Sequence, residues 1–238
     1  MPTDDPTTNR RGAAARESTG RDEAAPESPA GPTDTQAQRE PPATGTGGGV
    51  IDRLAGSVPW PLAIVAGGGA YLVGYVCTAL LLFVGPASFG SIDGFAERLK
   101  IVGFVFDNQH FVDVVVTNGD GAVIQRENIV LAGGTSSLPP AVYFAVPVVV
   151  LLAVGFAFAR SQYGREEYLI SGPTGVGMAL GYAGVGYLAA FVFVRGDRFG
   201  NTAAVDGGGI LLMGLVYAAV LGTVGCLGAL AWDHHAAG

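Results

Sequence analysis

Four stretches of about twenty apolar residues each leave this chain few ways to fold. They run from Trp60 to about Val84, from about Ala141 to Ala159, from about Thr174 to Val194 and from about Gly208 to Trp232. None carries Asp, Glu, Lys, Arg or His in its interior. About 20 mostly apolar residues are what a helix needs to cross the hydrocarbon core of a bilayer. Four such helices buried in a water-soluble domain would need a polar coat. Charged residues make up only 14% of the chain and mean hydropathy is +0.40, against roughly 25% charged in soluble domains. The expected class is therefore an all-α membrane protein: a four-helix transmembrane bundle with a disordered N-terminal tail and one long extracellular loop.

Boundary signals agree with these spans. Pro59 and Pro61 open the first, where a missing N–H costs little. Pro139 and Pro140 precede the second, and Pro147 inside it is expected to kink it or loosen its first turns. Trp60, Tyr143, Tyr168 and Trp232 stand near span ends, as interfacial aromatics do. Arg160, Arg195 and Asp233 stand at or just beyond the ends.

Residues 1–55 read as a disordered acidic tail, followed by a membrane domain over 56–238. No Phe, Tyr, Trp, Leu or Ile occurs before Ile51, and eight acids outnumber five arginines up to Gly49. Such a segment has too little apolar surface to offset the entropy of ordering. The run Gly45 to Gly49 reads as a flexible linker. The start lacks a basic stretch followed by an apolar one, so no signal peptide is expected. A long tail without one stays on the side of synthesis, so both termini are expected in the cytoplasm, in a multi-pass protein of the cell membrane.

The loop over 86–138 changes character midway. From Ile92 to Val112, apolar Phe95, Leu99, Val102 and Phe106 are interleaved with polar Glu97, Arg98, Lys100, Asp107 and Asn108. That spacing predicts an amphipathic helix lying at the interface. Val112, Val114 and Val116 then alternate, Asn118-Gly119-Asp120-Gly121 signals a turn, and Ala122 to Ile124 and Ile129 to Leu131 follow. This predicts a small β-hairpin. A lone hairpin is marginal in water, so it needs the helix, the membrane or another protein as a partner surface.

Small residues repeat at helical spacing. Ala70 and Gly74, Gly177 and Gly181, and Gly214 and Ala218 are each four apart, which lets helix backbones approach in lipid. Packing within the chain is the favoured use, ahead of a dedicated dimer interface.

Candidate chemistry is sparse. His110 lies three residues from both Asp107 and Asp113, which could form a hydrogen-bonded or metal-binding cluster. One His with two acids is weak for zinc, and a solvated polar face is the preferred reading. His234 and His235 read as incidental. Cys77 and Cys226 lie inside spans and behave as small hydrophobes. Tyr71 and Tyr75 share a helix face, and Tyr182, Tyr187 and Tyr217 lie in other spans. Their hydroxyls could line a polar cavity, although bonds to backbone carbonyls or an interfacial position are preferred. Gly45-to-Gly49 lacks the Lys-Ser/Thr of a phosphate loop, Gly184-x-Gly186 has no strand before it, and Ser136 and Ser137 have no His nearby in sequence. No catalytic, cofactor-binding or metal residue is assigned. A net charge of −7 argues against nucleic acid as a partner.

Lys100 is the only lysine, against twelve arginines and twenty acids, a usage similar to that of extreme halophiles. With the acidic Thr/Pro tail, Val58-Pro59-Trp60-Pro61, Gly74-Tyr75, Ile101 to Phe106, Asn108 and His110-Phe111-Val112, the chain resembles the small polytopic membrane proteins of haloarchaea that form families of unknown function. The resemblance covers about residues 58–232. It implies no activity and no functional residues. Three functions follow in order of preference: a non-enzymatic scaffold or accessory subunit, a small oligomeric transporter or channel, and a membrane-embedded enzyme. The absence of ionisable residues inside the spans weighs against a coupled transporter. The expected partners are the bilayer itself and, through the helix faces and hairpin, a second copy or another membrane protein.

Overall fold

The structure, a computed structural model, describes residues 58–84, 94–133, 138–162 and 171–235. The tail over 1–55, the Gly45–Gly49 run, Arg165, Tyr168, Ser136 and Ser137 fall outside them. The described residues form five helices and a small sheet. Helices α1 (Trp60–Val84), α3 (Pro140–Gln162), α4 (Ser171–Val192) and α5 (Gly207–His235) are long and apolar enough to cross a membrane. Between α1 and α3 come α2 (Phe95–Asn108), β1 (Val114–Thr117) and β2 (Val123–Glu127); β3 (Arg195–Gly196) and β4 (Thr202–Val205) lie between α4 and α5.

The four long helices form a closed ring in the order α1, α4, α5, α3, in which α1 and α4 run parallel, with Ala63, Gly68 and Tyr71 meeting Gly177, Val185 and Gly186 in turn. Small residues let the backbones meet. A methyl group built at Gly67 would overlap the Met178 carbonyl, and one at Gly181 would overlap the Ile64 carbonyl. Gly177 faces Ala63, Gly155 meets the Gly222 carbonyl, Gly222 faces Met178, and Gly225 meets the Leu152 carbonyl. Van der Waals contact and lipid entropy, rather than water exclusion, hold such interfaces together in lipid. Of the small residues singled out by spacing, Gly177 and Gly181 lie against α1. Ala70 is buried, and Gly74 receives the edge of the Phe106 ring. Gly214 lies on Ala183, and Ala218 is buried. The outward faces are apolar: Val65, Leu72, Leu188, Val192, Leu212 and Val220 are all more than half exposed.

The sheet departs from the expected lone hairpin. It has four strands in the order β2-β1-β4-β3, all antiparallel. The partner of the β1–β2 hairpin is therefore a second hairpin from the α4–α5 connection, which the sequence reading did not anticipate. Thr202–Val205 is short and Ala-rich, so its strand character comes from pairing with β1, where Val114 opposes Val205 and Thr117 opposes Thr202. Ile129–Leu131 is not a strand but part of a turn. Each hairpin has an Asx-type turn with a glycine at positive φ. The Asn118 carboxamide oxygen accepts the amides of Asp120 and Ala122 around Gly121, and Asp197 accepts those of Phe199 and Asn201 around Gly200. At the N-terminus of α5, the Asp206 side chain accepts the Gly209 amide at 3.2 Å, as an N-cap does. This bond and the Arg126 guanidinium hold the Asp206 carboxyl below its usual range.

The largest correction concerns α2. An interfacial helix should turn its polar residues to water. Here Phe95, an apolar residue of the pattern, is 69% exposed, whereas Asp107 and Asn108 are fully buried. From Val102 to His110 the chain is enclosed by protein. Phe106 packs into the notch at Gly74, and Gly103 lies flush on the Phe193 ring. The helix thus docks its C-terminal half into the sheet end of the bundle. Tyr143 is also fully buried against Val102 and Val105, not interfacial.

Candidate functional site

Four consecutive polar residues end the docked segment: Asp107, Asn108, Gln109 and His110, all 0% exposed. Buried polar groups need partners, and these find theirs on elements distant in sequence. Asn108 ties the helix end to the turn after β2. Its side chain donates to the Val112 carbonyl and accepts the Ile129 amide at 2.9 Å, while its carbonyl accepts Asn128 Nδ2 at 3.0 Å. Gln109 Nε2 donates to Thr78 Oγ1 on α1 at 3.0 Å.

His110 and Asp107 reach toward the middles of α1 and α4. His110 Nδ1 lies 3.1 Å from the Phe106 carbonyl, and Nε2 lies 2.7 Å from the Tyr182 hydroxyl. A carbonyl only accepts, so Nδ1 carries the hydrogen and Tyr182 donates to Nε2. Burial lowers the imidazole to about 4, which keeps it neutral. The Tyr217 ring from α5 lies edge-on to it at 5.5 Å. Asp107 Oδ1 accepts the Tyr71 hydroxyl at 2.9 Å. Its other oxygen, Oδ2, is buried without a hydrogen-bond partner among the described residues. Burial raises this carboxyl to about 8, opposed by the Tyr71 bond.

The solvated polar face expected for His110 is thus overturned. The pairing with two acids dissolves as well: Asp113 leads into β1, where its carbonyl accepts the Asp206 amide. Of the tyrosines, Tyr71 and Tyr182 serve side chains of the α2 end, and Tyr75 donates to the Leu99 carbonyl at 3.0 Å. Tyr187 stands apart, edge-on to Phe191. Thr78, Gln109 and Asn128 were not legible as site residues, because each lies in a segment with no distinguishing pattern.

Other candidates do not gather into chemistry. Cys226 is buried, with its thiol donating to the Gly155 carbonyl at 3.3 Å. Cys77 lines an apolar groove with Leu80, Val142 and Val149. Among the described residues no group of three His, Cys, Asp or Glu side chains is placed to hold a metal ion.

The fold and the cluster define a bundle of four apolar helices of membrane-crossing length, capped by a docked helix and a small sheet, with a polar knot inside. The chain belongs to a family of unknown function, DUF7978, whose profile matches residues 53–232. No curated protein and no solved structure matches it. The family match agrees with the resemblance to a family without established activity. A haloarchaeal source is not part of it.

Proposed function

We propose that the protein is an integral membrane protein crossing the bilayer four times and serving as a non-enzymatic scaffold or accessory subunit. The outward apolar faces of the four long helices support the membrane assignment. The observation that carries the contact role is strand β2. It is an edge strand, all five of its residues are exposed, and Val123 and Ile124 are 57% and 56% exposed. An open edge of this kind accepts an added strand from another chain, and Arg126 and Glu127 are the charged residues that strand β2 itself sets against such pairing. The expected partner is another membrane protein offering an extended segment on the sheet side.

The test is the composition of the complex purified gently from native membranes in high salt. A stoichiometric second protein that Ile124→Asp releases supports the reading. A homo-oligomer unaffected by that change would overturn it and favour a small transporter or channel. That second reading gains from Asp107 and His110, which α2 brings between helices that carry no ionisable residue in their apolar stretches. Flux assays in liposomes would then test it.

A further inference from the structure

Among the four buried polar residues at the end of α2, Asp107 differs from its neighbours. Asn108, Gln109 and His110 have their main hydrogen-bonding groups matched within the protein. Asp107 has one matched oxygen and one unmatched. The groups facing it are all neutral. Tyr71 and Tyr75 come from α1 and Tyr182 from α4. One turn on, His110 is engaged with Phe106 and Tyr182. The ion pairs Lys100–Glu97, Arg195–Glu97 and Arg126–Asp206 lie at the surface. Among the described residues, the Tyr71 hydroxyl alone favours the charged form of Asp107. A lone phenol does not compensate a buried carboxylate, and a neutral carboxyl in the same place carries a far smaller penalty.

We propose that Asp107 is a proton-binding site built into the helical bundle, and that the proton on Oδ2 keeps the end of α2 seated. The step is an acid dissociation. The Oδ2–H bond breaks, its electron pair stays on the carboxylate, and the proton passes to water. The charge left behind is relieved when the last turn of α2 withdraws toward solvent. That turn leads within a few residues into β1, a strand paired on both sides in the sheet. Loss of the proton therefore loosens the sheet as well as the helix. The raised carboxyl, at about 8, puts the transition at mildly alkaline pH, where His110 is already neutral and offers no compensating charge.

The test uses the full chain in lipid nanodiscs, followed by infrared spectroscopy from about pH 6 to about pH 10, a range in which exposed carboxyls are ionised. The carbonyl band of a protonated carboxyl is expected at the acidic end, vanishing near pH 8 and missing from Asp107→Asn. Tyr71→Phe, which removes the lone donor to the charged form, is expected to move the midpoint upward. Protection factors over 102–110, with the base-catalysed intrinsic rate divided out, should fall across the same range in the wild type and stay flat in Asp107→Asn. No band at acidic pH, a band kept by Asp107→Asn, or a midpoint unmoved by Tyr71→Phe would overturn the proposal. Protection factors that ignore pH would overturn the seating role. A midpoint that falls when sodium chloride replaces choline chloride would assign the site to a sodium ion instead. If Asp107→Asn does not fold, the wild-type titration and Tyr71→Phe decide alone.

Discussion

His110 accepts a hydrogen bond from Tyr182 at 2.7 Å although 72 positions separate them in the chain. The bond fixes the imidazole tautomer and anchors the end of α2 to the middle of α4. Tyr182→Phe removes the donor and leaves Nε2 unmatched in a buried place. The expected loss of stability is about 1–3 kcal/mol, read from reversible unfolding in mixed micelles. A loss below about 0.5 kcal/mol would mean that water already serves Nε2.

Stability should depend on pH with a defined shape. Asp107 titrates at about 8 when folded and about 3.8 when unfolded, so the folded state holds an extra proton between these values and stability falls as pH rises. His110 acts in the opposite sense, at about 4 folded and about 6.5 unfolded, so it favours the folded state increasingly as pH rises through that window. The two slopes cancel from about pH 4 to about 6.5. A net decline of roughly 1.4 kcal/mol per pH unit is left between about 6.5 and about 8. Unfolding midpoints measured across this range should show it, and Asp107→Asn should abolish it.

Helix contacts make a sharper contrast. Gly181→Ala would push a methyl group into the Ile64 carbonyl, and backbone cannot swing aside as a side-chain tip can. The expected cost is about 1–3 kcal/mol. Gly184→Ala, three residues along the same helix, meets nothing within 4 Å and should cost nothing, because alanine is the better helix former. Equal effects at the two positions would contradict the α1–α4 packing.

The cap of α5 separates two roles of one residue. Asp206 accepts the Gly209 amide and pairs with Arg126 at 3.0 Å. The pair is half exposed and worth under about 1 kcal/mol. Asp206→Asn keeps the cap and loses the charge, so its cost should be small. Asp206→Ala loses both, and about 1 kcal/mol more. Thermal unfolding of the two variants side by side checks the difference.

The four long apolar helices were legible from sequence because length and uninterrupted apolarity are properties of a segment alone. The turn at Asn118–Gly121 was legible for the same reason, since its side-chain-to-backbone bonds span a few residues. The destination of α2 was not. Its alternation of apolar and polar positions is what a half-solvated helix would show, and burial of Asp107, Gln109 and His110 rests on Tyr71, Thr78 and Tyr182. Those partners come from two other helices, so no local pattern announces them. The second hairpin was hidden likewise, because Thr202–Val205 becomes a strand only beside β1. The sequence by itself settled how many long apolar helices form and where the chain turns, through local hydrophobicity and local hydrogen bonding. The tertiary structure decided where Asp107 and His110 lie, because the cost of burying a polar group depends on partners that only folding brings near.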